Sequence, residues 1–320
     1  MITSPIGLGM AALGRPGYIN LDHGIDLNDR SFTAMRQHAM NMLDYACDLG
    51  IRYFDTAASY GAGEQFLGQW IFKREFHVTG VTAASKWGYV YTADWQVQAE
   101  HHEIKKHTLE NLNSSFIWSC LRLGRAMKIY QIHSATFASG VLENTEILSR
   151  LAQIREDGRL IGLTVSGPQQ SQLIDKAIEI EIDGTPLFRT VQATWNLLET
   201  SASEALRRAA DAGMAVIIKE ALANGRLTNK NRQPQFKQKL QQLKTTAEEH
   251  ACSLDQLALS AAINQPWSNV VLSGAVTKRQ LQSNWDALKV TWPDGALQEL
   301  SHLVESPQDY WRARAALEWN

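Results

Sequence analysis

Residues 35–50 read MRQHAMNMLDYACDLG, and residues 51–57 continue IRYFDTA. Met35, Ala39, Met42, Leu43 and Ala46 recur at the spacing of one helix face. Gly50 is a helix stop, and the apolar run after it reads as a strand. The same order returns in EILSRLAQIREDG (146–158) with RLIGLTVSG (159–167), and in SEALRRAADAG (203–213) with MAVIIKEAL (214–222). It returns more loosely in SSFIWSCLRLGRA (114–126) with MKIYQIHSA (127–135). Helix, glycine and short apolar strand form a repeating unit.

Continuous apolar strands alternating with amphipathic helices imply parallel strands covered by helices. Eight strands are expected, at about 5–10, 51–55, 80–85, 128–133, 160–165, 190–194, 215–219 and 269–273. Eight such units predict an α/β fold, a closed (β/α)8 TIM barrel. A doubly wound sheet is the competitor, because strand count alone does not show closure. No Pro/Ser-rich linker divides the chain, so residues 1–320 are expected to form one domain. The segment PGYINLDHGIDLNDR (16–30) is an insertion after the first strand. A C-terminal extension from about 292, with Tyr310, Trp311, Leu317 and Trp319, is too apolar for a free tail. It is expected to pack on the barrel or to line the mouth of a pocket.

Residues 7–12, GLGMAA, fit the dinucleotide fingerprint G-x-G-x-x-[GA]. That motif needs a strand before it and a helix directly after. Six residues precede Gly7, and Pro16 and Gly17 stand where the helix should begin. The stretch therefore reads as the first barrel strand, with Met10 and Ala11 at its rim and glycines easing close packing.

The chain of 320 residues is 44% hydrophobic with a formal net charge of −2, which gives no reason to expect nucleic acid as a partner. No apolar run approaches the roughly 20 residues of a membrane helix, and no basic segment followed by an apolar one opens the chain. A cytoplasmic protein is the expectation. Cys47, Cys120 and Cys252 suit neither a disulfide framework nor a zinc knuckle. EHHEIKKH (100–107) resembles H-E-x-x-H with one residue too many, so its histidines leave the shared helix face. It reads as a solvated polar loop or helix start, and no metal site is expected.

In a (β/α)8 barrel the active site lies at the carboxyl ends of the strands. Strand 2 ends FDTAASYG, strand 3 TAASKWG and strand 4 YQIHSA, which deliver Asp55, Tyr60, Lys86 and His133 to one rim. A tyrosine with pKa near 10 is a poor proton carrier at neutral pH, and a neighbouring lysine is expected to lower that pKa. Asp55 would fix the lysine, and His133 would offer a neutral hydrogen-bond donor to a substrate oxygen. Together they suit proton transfer at a carbonyl or alcohol oxygen. Each also has a plain reading, as a turn cap, a loop aromatic, a solvated lysine or a core histidine. Their joint placement carries the catalytic one.

These four residues, in the contexts GIRYFDTAASYG, SKWG and QIHSA, resemble the catalytic tetrad of the aldo-keto reductase superfamily. YGAGEQFLG (60–68), REDGRLIGLTVSG (155–167), VQATWNLL (191–198), LANGRLT (222–228) and GAVTKRQLQSNWDAL (274–288) resemble further family segments. The resemblance runs from about Gly7 to Leu288. It implies a barrel that binds NADP(H), or less often NAD(H), without a Rossmann domain, and moves a hydride to or from a small carbonyl or alcohol. In that scheme Tyr60 is the general acid, Lys86 with Asp55 tunes it, and His133 orients the carbonyl. Ser166 and Gln192 match positions that hold the carboxamide, and Met10 lies near the nicotinamide end. Leu222, Gly225, Gly274, Gln280 and Asn284 match positions around the pyrophosphate and adenosine.

The chain departs from the family in places. Ser166-Gly167 replaces a usual Ser-Asn, and Lys219 stands where an aromatic ring stacks on the nicotinamide, with Glu220 beside it as an expected pairing partner. Gly274 and Gln280 replace cations that bind the 2′-phosphate, a task left to Lys278 and Arg279. NADP(H) is favoured, with NAD(H) open. Trp87 and the tail aromatics suggest stacking surfaces for a substrate. Two other readings compete: a regulatory nucleotide-binding barrel with little turnover, and a barrel lyase with Lys86 as Schiff-base nucleophile.

Overall fold

The structure, a computed structural model, describes residues 4–74, 80–292 and 295–320. Its strands are β1 (Ile6–Gly9), β2 (Tyr53–Asp55), β3 (Thr82–Trp87), β4 (Met127–Ala135), β5 (Leu160–Val165), β6 (Thr190–Thr194), β7 (Ala215–Lys219) and β8 (Val270–Ser273). They run parallel in chain order, and β1 pairs with both β2 and β8. That pairing closes the sheet into a barrel and rules out the doubly wound alternative. All eight fall on the expected segments. β3 lies two residues further along than expected, because Lys86 and Trp87 continue the ladder opposite Gln131 and Ile132.

Helices α1 (Phe32–Asp48), α2 (Gly63–Arg74), α3 (Leu109–Leu123), α4 (Thr145–Glu156), α5 (Gln170–Ile178) and α6 (Ser203–Asp211) follow the first six strands. After β7 come α7 (Lys237–Glu249) and α8 (Leu254–Ile263), and after β8 comes α9 (Lys278–Asp286). The tail carries α10 (Pro307–Ala315). α1 shows why these stretches are helical. Ser31 caps it, and its buried stripe is Met35, Ala39, Met40, Met42, Leu43 and Ala46. Gly50, at φ 99°, then turns the chain into β2. All three residues of β2 are buried, as expected of a strand with a helix layer outside and filled space inside.

Tyr53, Ala84, Ile129, Ile217 and Val270, from five different strands, pack on one another inside the barrel. Gly7 makes room for them: a Cβ there would stand 2.7 Å from Tyr53 Cδ1 and 3.0 Å from Leu272 Cδ2. So GLGMAA serves barrel packing, and β1 runs into a loop instead of a helix. Met10 departs from its expected place at the rim. Its side chain is fully buried in the core between strands and helices, while Gly9, Ala11 and Ala12 face the cavity. Alternation along the strand sets Met10 apart from Gly9, and the turn that follows brings Ala11 and Ala12 round to the cavity.

EHHEIKKH also differs from its reading as a solvated loop or helix start. Glu103–Lys105 forms an antiparallel hairpin with Tyr89–Tyr91, and His102 is 9% exposed, stacked 3.8 Å from Trp319. The tail closes over the same side. Tyr310 and Trp311 are buried, and the Asn320 and Tyr18 backbones exchange hydrogen bonds of 3.1 and 3.2 Å. Among the described residues, no helix is long and apolar enough to cross a membrane.

Gly68 of α2 abuts the end of α3, where a Cβ would stand 2.0 Å from the Arg122 carbonyl oxygen. Alanine is the better helix former by about 1 kcal/mol, but overpacking costs about 1–3 kcal/mol. Gly68→Ala is expected to lower the urea midpoint, a net loss of up to about 2 kcal/mol. A raised midpoint would show that the helices have room to spare.

Candidate active site

Lys86 is 1% exposed and its charge has two partners. Its ammonium pairs with Asp55 Oδ1 and donates to the Thr56 carbonyl at 2.9 Å. Gln192 Nε2 donates to the other Asp55 oxygen at 2.8 Å. β2, β3 and β6 are thus tied together at the mouth. Tyr60 stands in the loop between β2 and α2, and Lys86 Nζ lies 4.8 Å from the centre of its ring. His133 reaches the same point through a β-bulge. The β4–β5 register shifts between Ile132 and Ala135, Ser134 takes φ 51°, and its N–H bonds to Thr164 Oγ1 at 2.7 Å. Bulges re-aim side chains in this way. His133 Nε2 lies 3.5 Å from Tyr60 OH, and Nδ1 lies 3.4 Å from Ser59 Oγ.

Electrostatics correct one expectation. Tyr60 does not have a lowered pKa; burial, then the Asp55 carboxylate, raises it well above 10. Lys86 faces the ring and spends its hydrogen bonds on Asp55 and Thr56. Burial, then the charges of Lys86 and Arg15, push His133 well below 6.5. The pair is therefore a phenol and a neutral imidazole near neutral pH. Lys86 does not line the cavity, which removes the access that a Schiff-base nucleophile needs.

The walls include residues that sequence reasoning missed. The Arg15 guanidinium lies 4.9 Å over the Tyr60 ring and 4.7 Å over that of Trp319, and pairs with Glu103 at 3.0 Å. Tyr89 meets His133 edge-on at 4.9 Å between ring centres. Trp87, expected as a stacking surface, is instead fully buried. It follows Lys86 on a strand and so faces the helices. Tyr18, Tyr89 and Trp319 supply the aromatic surface.

From this point a cavity of about 690 Å³ runs across the barrel mouth to the start of α9. Ser166, Gln192 and Lys219 line it near the reaction end. Leu222, Gly225, Gly274, Gln280 and Asn284 line the remainder. Lys219 does not take Glu220 as a hydrogen-bond partner: its ammonium donates to Ser166 Oγ and Thr194 Oγ1, both at 2.9 Å. Glu220 accepts from Arg314 of α10 at 2.7 Å. Burial raises the Glu220 pKa, but Arg314 and Lys219 outweigh it and hold the carboxyl at about 2.

Gln280 is already committed. Its Oε1 accepts from the Val276 and Thr277 N–H groups at 3.0 and 3.2 Å, and its Nε2 donates to Asp26 at 2.8 Å. Asn284 donates to Ser273 Oγ at 2.7 Å. Arg279 faces the cavity, whereas Lys278 lies 5.3 Å over the Tyr45 ring, outside it.

An elongated polar ligand fits this cleft. Gly274 leaves open space, with Asn20 Nδ2 3.9 Å from a would-be Cβ. His23 Nε2 and Asn224 Oδ1 belong to residues of the wall and are buried without a partner, a state that calls for one. Among the described residues, no cluster of three or more His, Cys, Asp or Glu side chains could hold a metal ion.

The fold and the position of the cleft define a (β/α)8 barrel with its site at the carboxyl ends of the strands. Residues 5–305 match the sequence model of the Aldo/keto reductase family, and the chain belongs to that family. It is accordingly an oxidoreductase, from a family that uses nicotinamide cofactors on small carbonyl substrates. The fold is similar to that of aldo-keto reductase AKR11C1 from Bacillus halodurans (holo form), at TM-score 0.70 and 20% identity over 95% of this chain and 93% of that one. The glycerol dehydrogenase AKR11B4 from Gluconobacter oxydans gives TM-score 0.71 and 20% identity over 94% and 91%. The putative aldo-keto reductase PA4992 from Pseudomonas aeruginosa gives 0.62 and 20% over 93% and 91%. A search of curated protein sequences found no match.

Three histidines around the cleft carry a stability signature. Burial lowers His23 and His107 to about 4 and His133 well below 6.5. In the unfolded chain they protonate near 6.5, so there the unfolded state binds more protons as pH falls. Stability is full above that pH and is lost as pH falls from about 6.5 towards 4. The urea midpoint is expected to drop clearly between about pH 7 and about pH 5. A flat midpoint would mean that these histidines protonate in the folded protein.

Proposed function

We propose that this protein is an NAD(P)(H)-dependent reductase of small aldehydes, ketones or sugars, able to run in reverse on the alcohols, with NADP(H) the favoured nucleotide. The observation that carries the proposal is the pairing of Tyr60 OH with His133 Nε2, 3.5 Å apart at one end of the long cleft. A bound reduced nicotinamide supplies the hydride.

The chain's own groups do the rest. A carbonyl oxygen placed between Tyr60 and His133 accepts two hydrogen bonds, which polarise the carbonyl and fix its face. Tyr60, held as a phenol, gives its proton to the oxygen as charge develops there. The resulting phenolate sits near the Lys86 ammonium. That ammonium lies 4.8 Å from the centre of the Tyr60 ring, and in a partly desolvated mouth the attraction of opposite charges stabilises the phenolate. Asp55, held in turn by Gln192, keeps the ammonium in place. Ser166 and Gln192 serve the carboxamide. Leu222, Gly225, Gly274 and Asn284 border the pyrophosphate and adenosine, where Gln280 acts by shaping the start of α9. Arg279 is the cation for a 2′-phosphate.

A second reading keeps nucleotide binding with little turnover. One observation favours it: Ser166 and Gln192 are already bonded to Lys219 and Asp55. Binding of nucleotide without reduction of any carbonyl or sugar in a broad panel would select it.

Tyr60→Phe is expected to cut kcat by about 100- to 10,000-fold while nucleotide affinity, read by tryptophan fluorescence, stays within a factor of about two. Undiminished reduction would remove Tyr60 from its role. Arg279→Ala is expected to weaken NADPH about tenfold, the worth of one charge-assisted contact of about 1.4 kcal/mol, and to leave NADH unchanged. Equal effects on both nucleotides would place the 2′-phosphate elsewhere.

A further inference from the structure

Lys219 takes no part in the proton transfer proposed above, yet it brings a charge to the reaction end of the cleft. The other charges there are matched, apart from Lys105, whose ammonium donates to the Ser134 carbonyl at 2.9 Å. Asp55 pairs with Lys86, Glu103 with Arg15, and Glu220 with Arg314, and His133 is neutral. The two hydrogen bonds of Lys219 go to hydroxyls, Ser166 Oγ and Thr194 Oγ1. Its cation is thus held in the mouth by neutral groups at the ends of β5 and β6.

A substrate oxygen bound by Tyr60 and His133 fixes where its carbon lies. A hydride donor must approach that carbon to about 3–3.5 Å, so its ring occupies the same mouth. A reduced nicotinamide ring is neutral, and an oxidised one carries a positive charge. An ammonium in a partly desolvated mouth repels the second and not the first.

We propose that Lys219 makes this site discriminate between the redox forms of its nucleotide, holding the reduced form more tightly than the oxidised and so favouring carbonyl reduction. This rests on the nucleotide-dependent reading above. A pH dependence follows. The groups that act on Lys219 are Glu220 beside it, Arg314 from α10, Lys86 from β3 and Asp55 from β2, and Lys219 acts in turn on His133 from β4. Burial is the largest influence and brings Lys219 down to about 8 despite Glu220. The repulsion should therefore fade as pH rises through that value.

The test is tryptophan-fluorescence titration of the full chain with reduced and oxidised nucleotide, giving the ratio of oxidised to reduced Kd. At about pH 7 the ratio is expected to fall about tenfold in Lys219→Met and to persist in Lys219→Arg. Raising the pH from about 7 to about 9.5 is expected to lower it in the wild type and not in Lys219→Arg. An unchanged ratio in a folded Lys219→Met that binds both nucleotides would overturn the proposal. So would a wild-type ratio independent of pH, whether or not the methionine variant folds. A wild-type protein that binds neither nucleotide would overturn the nucleotide reading itself, and this proposal with it.

Discussion

A lysine charge sits almost fully buried at the mouth of this barrel, and the site depends on how it is held. Asp55 faces Lys86 from the neighbouring strand, the Thr56 carbonyl takes another hydrogen bond, and Gln192 secures Asp55 from across the barrel. Leaving one member of such a pair uncompensated typically costs about 3–5 kcal/mol. The pair therefore constrains the relative placement of β2, β3 and β6, and it sets the cation beneath the Tyr60 ring. Strand placement and site assembly meet in one interaction.

A second set of contacts joins the tail to the mouth. Arg314 reaches Glu220 at the end of β7, and Asn196 donates to the Glu220 carbonyl at 2.9 Å and to Tyr310 OH at 2.9 Å. Glu220 holds φ 56°, an unusual conformation for a residue with a Cβ, and these bonds offset its strain. With Trp319 over Arg15, the tail forms part of the cleft wall. Of the two expectations for the extension, packing on the barrel and lining a pocket, its residues divide between both: Tyr310 and Trp311 pack, while Trp319 and Arg314 line.

The barrel was legible because its signals are local. The stripe from Met35 to Ala46, the glycine stop and the strand after it lie within one short segment, and a strand buried on both faces announces itself as an apolar run. Asp55, Lys86 and His133 were legible as strand ends. Other features depend on distant partners. Arg314 and Glu220 are 94 positions apart, and Gln280 and Asp26 254 apart. Gln280 gave a signal that went unread: Thr277 with Gln280 three residues later is a capping box. Trp87 gave one too, since the residue after an inward lysine on a strand faces outward. The direction of the Tyr60 shift was out of reach, because burial decides it and a sequence does not show how deeply a loop tyrosine sits.

The closed barrel gathers these strand ends into one site, proposed above for hydride transfer. Incubating the wild-type protein with reduced nicotinamide nucleotide carrying deuterium at the transferable position, and with a panel of aldehydes and ketones, tests it directly by mass spectrometry of the alcohols. Deuterium is expected on the carbinol carbon of at least some products. Nucleotide bound with no labelled alcohol from any carbonyl offered would contradict it.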